Sequence, residues 1–380
     1  MPNIEEKEDE ISNLDDFNEW LEEEFGEEEE QEDQEDQEDD KEEDDDSIED
    51  IEDMLIDYEP PEGMHKIYTD MVDTIKDADR SGWERGTGFD IEFEKLNDKI
   101  MGIQAGLTFL GAQSNVGKSS FLLKIAKSVT ELNNVFGLYF SIDDSSRELL
   151  PRIVAEKKGI PINAVRMPMR YKDYEGVLKK RKEGIQELLG DIKDFKIVDQ
   201  EQGGDIDHII ETIKEHKKYL DEYTDKKLFV AIDNFHDLAS EERFQSDKKR
   251  FSQFARALKN LTIDLEIPVW CTAELTKGSS KDFRPTREDI REANKINYQA
   301  NMVLMLYNEV GMKNRNASIY YTTKDEPDVK KPVLEVHLDK NKFSPYKGRL
   351  YYHFIPEMAR FEEASPQQTE RYNNLLYSDD

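Results

Sequence analysis

The stretch GAQSNVGKSS, residues 111–120, holds residues whose types and spacing suit phosphate chemistry. It ends as a phosphate-binding loop ends, with Gly117, Lys118 and Ser119. The pattern G-x-x-x-x-G-K-[ST] asks for glycine at its first position, and here that residue is Ala112. One added methyl is tolerable where φ is negative, and Gly111 just before it keeps the turn flexible. Nucleotide binding is therefore expected to survive. The expected cradle is Ala112, Gln113, Ser114, Asn115, Val116, Gly117, Lys118, Ser119 and Ser120. Its backbone N–H groups and the following helix N-terminus offer positive potential to the phosphates. Lys118 would add a point charge, and the Ser119 hydroxyl would coordinate Mg²⁺.

Two further carboxylate positions fit this chemistry. The run LFVAIDNF carries five apolar residues into Asp233, which places a carboxylate at a strand end, suited to the Mg²⁺ shell. The run VFGLYFS leads into IDDSS, so Asp143 or Asp144 could orient and deprotonate water. Of the two, Asp144 is read as the cap of the next helix.

These side chains need strands to carry them to one edge. Strand-like runs lie at 106–112, 135–141, 196–199, 227–233, 268–274 and 301–307, separated by helix-like stretches. Near-continuous apolar strands alternating with helices predict an α/β fold with a mostly parallel, doubly wound sheet. VLEVHLD (333–339) and GRLYYHF (348–354) predict a C-terminal antiparallel hairpin. The expected domains are an acidic tail at 1–60, a linker with an amphipathic helix at 61–86, the ATPase domain at 87–362, and a flexible tail at 363–380.

Charge divides the chain sharply. The net charge is -35, and residues 1–60 hold 33 acidic residues against two lysines. Such a tail repels itself and is expected to be disordered. Ile11, Leu14, Phe17, Trp20 and Leu21, and then Ile48, Ile51, Leu55 and Tyr58, recur at helical spacing within it. They suit docking in a partner's groove; the alternative is a plain solubility tail. Ile67, Tyr68, Met71, Val72 and Ile75 form a further apolar stripe. The single cysteine, Cys271, allows no disulfide within the chain. No zinc spacing, signal peptide or apolar run of ~18 residues is seen, so a soluble cytoplasmic protein with no membrane contact is expected.

These residues, in this order, resemble the ATPase domain of the DnaB-type replicative helicases, a RecA-like fold. The alanine at position 112 is a habit of that family. TGFDIEFEKLNDKIMGIQAGL (87–107) is similar to its entry, and FARALKNLTIDLEIPVWCTAEL (254–275) to its third motif. RPTREDIREANKINYQANMVLMLY (284–307) resembles the fourth, and DKNKFSPYKGRLYYHF (339–354) the C-terminal end. The resemblance covers roughly residues 64–362.

The resemblance implies ATP and Mg²⁺, with Lys118 and Ser119 on phosphate and metal, Asp143 as catalytic carboxylate and Asp233 as metal-holding aspartate. Lys342 falls at the basic finger that reaches a neighbouring subunit's ATP, with Lys340 its companion. Arg291 and Glu292 match the segment that approaches the DNA backbone. Two loops are expected to face a central channel and bind single-stranded DNA through Lys248, Lys249, Arg250, Lys277, Lys281, Arg284 and Arg291. A homohexamer, a linker helix at 64–78 packed on the next subunit, and 5′–3′ unwinding in replication follow from the same likeness. Small size points to a phage or mobile element, hence a bacterial host cytoplasm. The acidic tail would meet a basic replication partner such as a primase, loader or single-strand-binding protein, or shield the channel as a DNA mimic. Four positions depart from the family: Asp143 for glutamate, Glu274 for a phosphate-sensing glutamine, Lys342 for arginine and Asn294 for glycine. They keep open a RecA-like switch or mediator that does not unwind efficiently, and a nucleotide-binding protein without turnover.

Overall fold

The computed structural model describes residues 88–200, 204–276 and 284–377, together with Val72. The acidic tail, the linker apart from Val72, and the channel candidates Lys277 and Lys281 lie outside the described residues.

Nine strands form one sheet in the order β3-β2-β4-β5-β1-β6-β7-β8-β9. They are β1 (Gly106–Ala112), β2 (Val135–Ser141), β3 (Phe195–Asp199), β4 (Lys227–Asp233), β5 (Pro268–Glu274), β6 (Met302–Asn308), β7 (Val333–Asn341), β8 (Arg349–Ile355) and β9 (Arg360–Glu363). The first six run parallel, as their apolar runs predict. The last three are antiparallel to their neighbours, so the expected hairpin is one part of a larger extension.

Helices cover both faces because alternate strand residues point opposite ways. Leu110 and Ala112 enter a core with Phe121, Leu122 and Ile125 of α1 (Lys118–Leu132). Leu107 and Phe109 enter the opposite core, beneath α3 (Ile206–Tyr223) and α4 (Asp247–Asp264). Between α1 and α3 runs α2 (Ser146–Lys158). The start of α3 is held by the Asp205 side chain, which accepts from the N–H groups of Asp207 and His208. The start of α4 is held by Ser246, whose hydroxyl accepts from the Lys249 N–H. A short helix, α5 (Ala293–Gln299), precedes β6. No helix among the described residues is long and apolar enough to cross a membrane.

The segment expected to be a flexible tail is instead folded over most of its length. Residues Pro366–Tyr377 form α6. Tyr372 is buried there in a small core with Ile319, Val333, Tyr351 and Ala364. Its ring lies 5.2 Å from that of Tyr351, and the Tyr351 hydroxyl donates to Asn373 at 2.7 Å. One buried aromatic among polar residues is enough to dock a helix whose composition reads as solvent-exposed. Replacing Tyr372 by alanine should therefore lower unfolding stability by about 3 kcal/mol in urea melts. A loss within experimental error would mean that α6 contributes nothing to the fold.

Candidate functional site

Parallel register gathers the chemical residues at one edge. Ser141 stands opposite Asp233, and Ala112 opposite Glu274. The chain leaves β1 at Ala112, whose methyl is fully buried in the α1-side core. The first-position alanine is thus accommodated by packing. Gly117 has φ +111, and a Cβ there would also press on the Phe354 ring at 3.2 Å. Glycine is required at that turn. The first turn of α1 carries no acidic residue and no side-chain cap, so its N–H groups remain open to an anion.

Lys118 reaches back to the Ala112 carbonyl at 3.2 Å. Burial holds its ammonium below the ordinary lysine range, against the pull of Asp233, Glu274, Asp143 and Asp237. Lys118 thus faces several carboxylates at once. Asp233 is buried; its two oxygens accept hydrogen bonds from the hydroxyls of Tyr139 and Thr272. Burial and the Asp233 carboxylate drive the Tyr139 phenol well above its usual range, so it stays a donor. Ser119 and Asp233 are hard oxygen donors of the kind Mg²⁺ takes. No group of three or more His, Cys, Asp or Glu among the described residues could cage a metal. Ser119 and Asp233 are the residues that would hold such a metal beside phosphate oxygens and water.

Asp143 lies in the same cleft, with Lys118, Glu274, Arg152 and Tyr171, in a volume of about 890 Å³. Partial desolvation, and then Asp144 and Asp233, raise its carboxyl above the usual range. That shift strengthens it as a base toward water. Asp144 does not cap α2 as expected. Ser145 does, in a capping box with Glu148, while Asp144 pairs with Arg152 at 2.7 Å. Glu274 also lines the cleft and lies 3.9 Å from the Arg291 guanidinium, which offsets its charge toward a phosphate.

The proposed strand-binding residues divide. Lys248, Lys249 and Arg250 occupy the first turn of α4 and not a loop. Arg291 pairs with Asp247 at 2.7 Å in that same turn, and the Arg250 and Arg291 guanidiniums both lie over the Phe251 ring. These four therefore form one neighbourhood. Glu292, at φ +57, precedes α5 and shapes the turn. Arg284 is a correction. Its guanidinium bonds Glu335 at 2.7 and 2.8 Å and Glu309 at 3.2 Å. Glu335 is fully buried, so Arg284 serves as its counter-ion and is not available to phosphate.

Lys340 and Lys342 lie elsewhere. Because β7 is antiparallel to β6, Asn341 stands beside Met302, which stands beside Thr108. That is four residues, roughly 13 Å, back along β1 from Ala112. Lys342 cannot reach its own phosphate loop. Burial, and then Lys342, Arg287 and Lys259, bring the Lys340 ammonium down to about 8.

Sequence reading missed His236, in the turn after Asp233. It is buried, and its Nδ1 accepts from the Glu274 N–H at 3.0 Å. Its Nε2 donates to the Arg291 carbonyl, also at 3.0 Å. Burial pushes the imidazole down to about 4, against the Arg291 carbonyl bond and helped by Arg291, Lys118 and Arg250. A histidine three residues past the strand-end aspartate was the available signal.

A cleft built this way takes a nucleotide, and the domain is of the phosphate-loop class. Within that class, the chain belongs to the DnaB-like helicase C-terminal domain family, whose model matches residues 88–363. Among relatives, the replicative DNA helicase DnaB of Leifsonia xyli is 24% identical over 264 residues, covering 68% of this chain and 54% of its own. A probable replicative DNA helicase of Trieres chinensis is 26% identical over 278 residues, covering 72% and 57%. The chain thus spans a little over half the length of these relatives. The solved structure of a DnaB-like replicative helicase, described with its interactions with primase, superposes with a TM-score of 0.65 at 21% identity, covering 84% of this chain and 71% of that one. That likeness confirms the RecA-like sheet.

An unfolded imidazole titrates near 6.5 and the folded His236 near 4, so between these values the folded state binds fewer protons. Its stabilising contribution is complete above pH 6.5 and is lost as pH falls toward 4, a change of about 3 kcal/mol. Urea melts across this window should show H236Q losing less stability than wild type. Equal losses would contradict a buried neutral imidazole.

Proposed function

We propose that the chain is an ATP-driven DNA motor of the replicative-helicase type, hydrolysing Mg-ATP between copies arranged in a ring. The observation that carries this is the separation of the site's parts. The phosphate loop leaves one edge of the sheet, and Lys340 and Lys342 lie at the other, out of reach of their own loop, which supports a cleft shared between copies. Family membership supports the same assembly and the 5′–3′ direction.

In this mechanism the loop amides and Lys118 hold the phosphates in place. Mg²⁺, when bound beside Ser119 and Asp233, neutralises phosphate charge. Asp143 accepts the proton of the attacking water. Lys342 of the adjoining copy brings positive charge to the phosphate that departs, as a point charge without the fork of an arginine. Lys248, Lys249, Arg250 and Arg291 grip the phosphates of single-stranded DNA. The described primase interaction of the DnaB-like structure supports a replication partner of that kind here. Asp143, one methylene shorter than glutamate, favours slow turnover, and on that ground a regulatory switch is the second reading.

ATPase assays with and without single-stranded DNA test this. Turnover should rise with DNA, and Lys118→Ala should lower it by about 100-fold or more. Asp143→Asn should cut kcat by about 100-fold while nucleotide affinity holds. Lys342→Ala should be inactive alone, yet regain activity when mixed with Lys118→Ala, because a mixed interface unites an intact loop with an intact lysine. Mixtures that stay dead, with both variants folded and assembled, would rule out a shared site.

A further inference from the structure

We propose that His236 is a positioning residue that locks the end of β5 to the Arg291 segment, so that nucleotide state and strand grip change together. The inference deepens the motor reading above and rests on it.

The structure shows a closed ring of three hydrogen bonds. The Glu274 N–H donates to His236 Nδ1 at 3.0 Å. The Arg291 N–H donates to the Glu274 carbonyl at 2.9 Å. His236 Nε2 donates to the Arg291 carbonyl at 3.0 Å and closes the ring. A carbonyl can only accept, so Nε2 must carry the proton and Nδ1 must be the acceptor. A single neutral tautomer satisfies every member, and the low basicity of the buried ring keeps it neutral at physiological pH.

Three separate segments meet in this ring. His236 follows Asp233, the residue proposed for the metal shell. Glu274 ends β5 and faces the phosphate cleft. Arg291 faces the strand-binding neighbourhood, where its guanidinium pairs with Asp247 and lies over Phe251. The imidazole itself meets Phe251 edge-on, with ring centres 4.8 Å apart. Displacement of Glu274 by a phosphate therefore either breaks a buried bond or carries the Arg291 backbone with it. An unpaired buried N–H or C=O costs about 1–3 kcal/mol, so moving together is favoured.

The test is the affinity of fluorescent oligo-dT, read by anisotropy with and without Mg and a non-hydrolysable ATP analogue. Wild type should show a ratio of at least about tenfold between the two states. H236Q keeps one acceptor and one donor at similar spacing and should stay within about twofold of that ratio. H236L, which offers neither, should bring the ratio close to one, while binding of a fluorescent ATP analogue stays within about twofold of wild type. Should H236L fail to fold, H236N, polar but too short to span both backbone groups, should uncouple in the same way. An H236L or H236N protein that folds and keeps the wild-type ratio overturns the inference and leaves the motor reading intact. Wild type that binds oligo-dT without nucleotide dependence also overturns it. Wild type that binds no oligo-dT at all removes the motor reading, and this inference with it.

Discussion

The parallel register of β1, β2, β4 and β5 is the constraint on which the other features rest. It brings Ala112, Ser141, Asp233 and Glu274 to one sheet edge although they are far apart in the chain. Strand pairing cannot slip by one residue without turning every side chain to the opposite face. With both faces buried beneath α1, α3 and α4, such a slip would expose neither less nor more apolar surface at random; it would unseat Leu107 and Phe109 from one core and Leu110 and Ala112 from the other. Hydrophobic packing thus positions the carboxylates with no need for them to attract one another. Indeed they repel, and Lys118 stands among them.

That arrangement gives the cleft an electrostatic character of its own. Tyr139 and Thr272 hold Asp233 from behind and spend the hydrogen bonds that a desolvated carboxylate requires. Arg152 and Arg291 tie down Asp144 and Glu274 at the sides. Asp143 is left as the carboxylate with a raised proton affinity and access to the cleft. Two of the four departures from the family pattern fall together. Asp143 and Glu274 sit in this one cleft, and Glu274 has Arg291 beside it.

Much of the fold was legible because buried parallel strands are near-continuous apolar runs. The stretches 106–112, 135–141, 227–233 and 268–274 coincide with β1, β2, β4 and β5, and the others differ by one or two residues. Strand β9 was not legible, since RFEE buries a single large side chain, Phe361. Helix α6 was missed for the same reason, with Tyr372 its one buried residue. Arg284 was misread because a basic residue in a charged stretch looks the same whether it meets solvent or the buried Glu335. His236 escaped because its partners are backbone atoms 38 and 55 residues away, and no side-chain pattern records them. The phosphate loop, by contrast, acts through local backbone, and ten consecutive residues suffice to reveal it.

The antiparallel extension β7–β9 has a geometrical consequence for how copies can associate. It carries Lys340 and Lys342 to the rear of the sheet while the nucleotide enters at the front. A two-fold dimer could exchange lysines only if the front and rear edges both lay on its one shared face. Head-to-tail contacts join a front edge to a rear edge with one face each, and these either close on themselves or grow without limit. Under the shared-site proposal, an open chain of copies would leave one cleft unserved at its end, and closure would bring every copy into work.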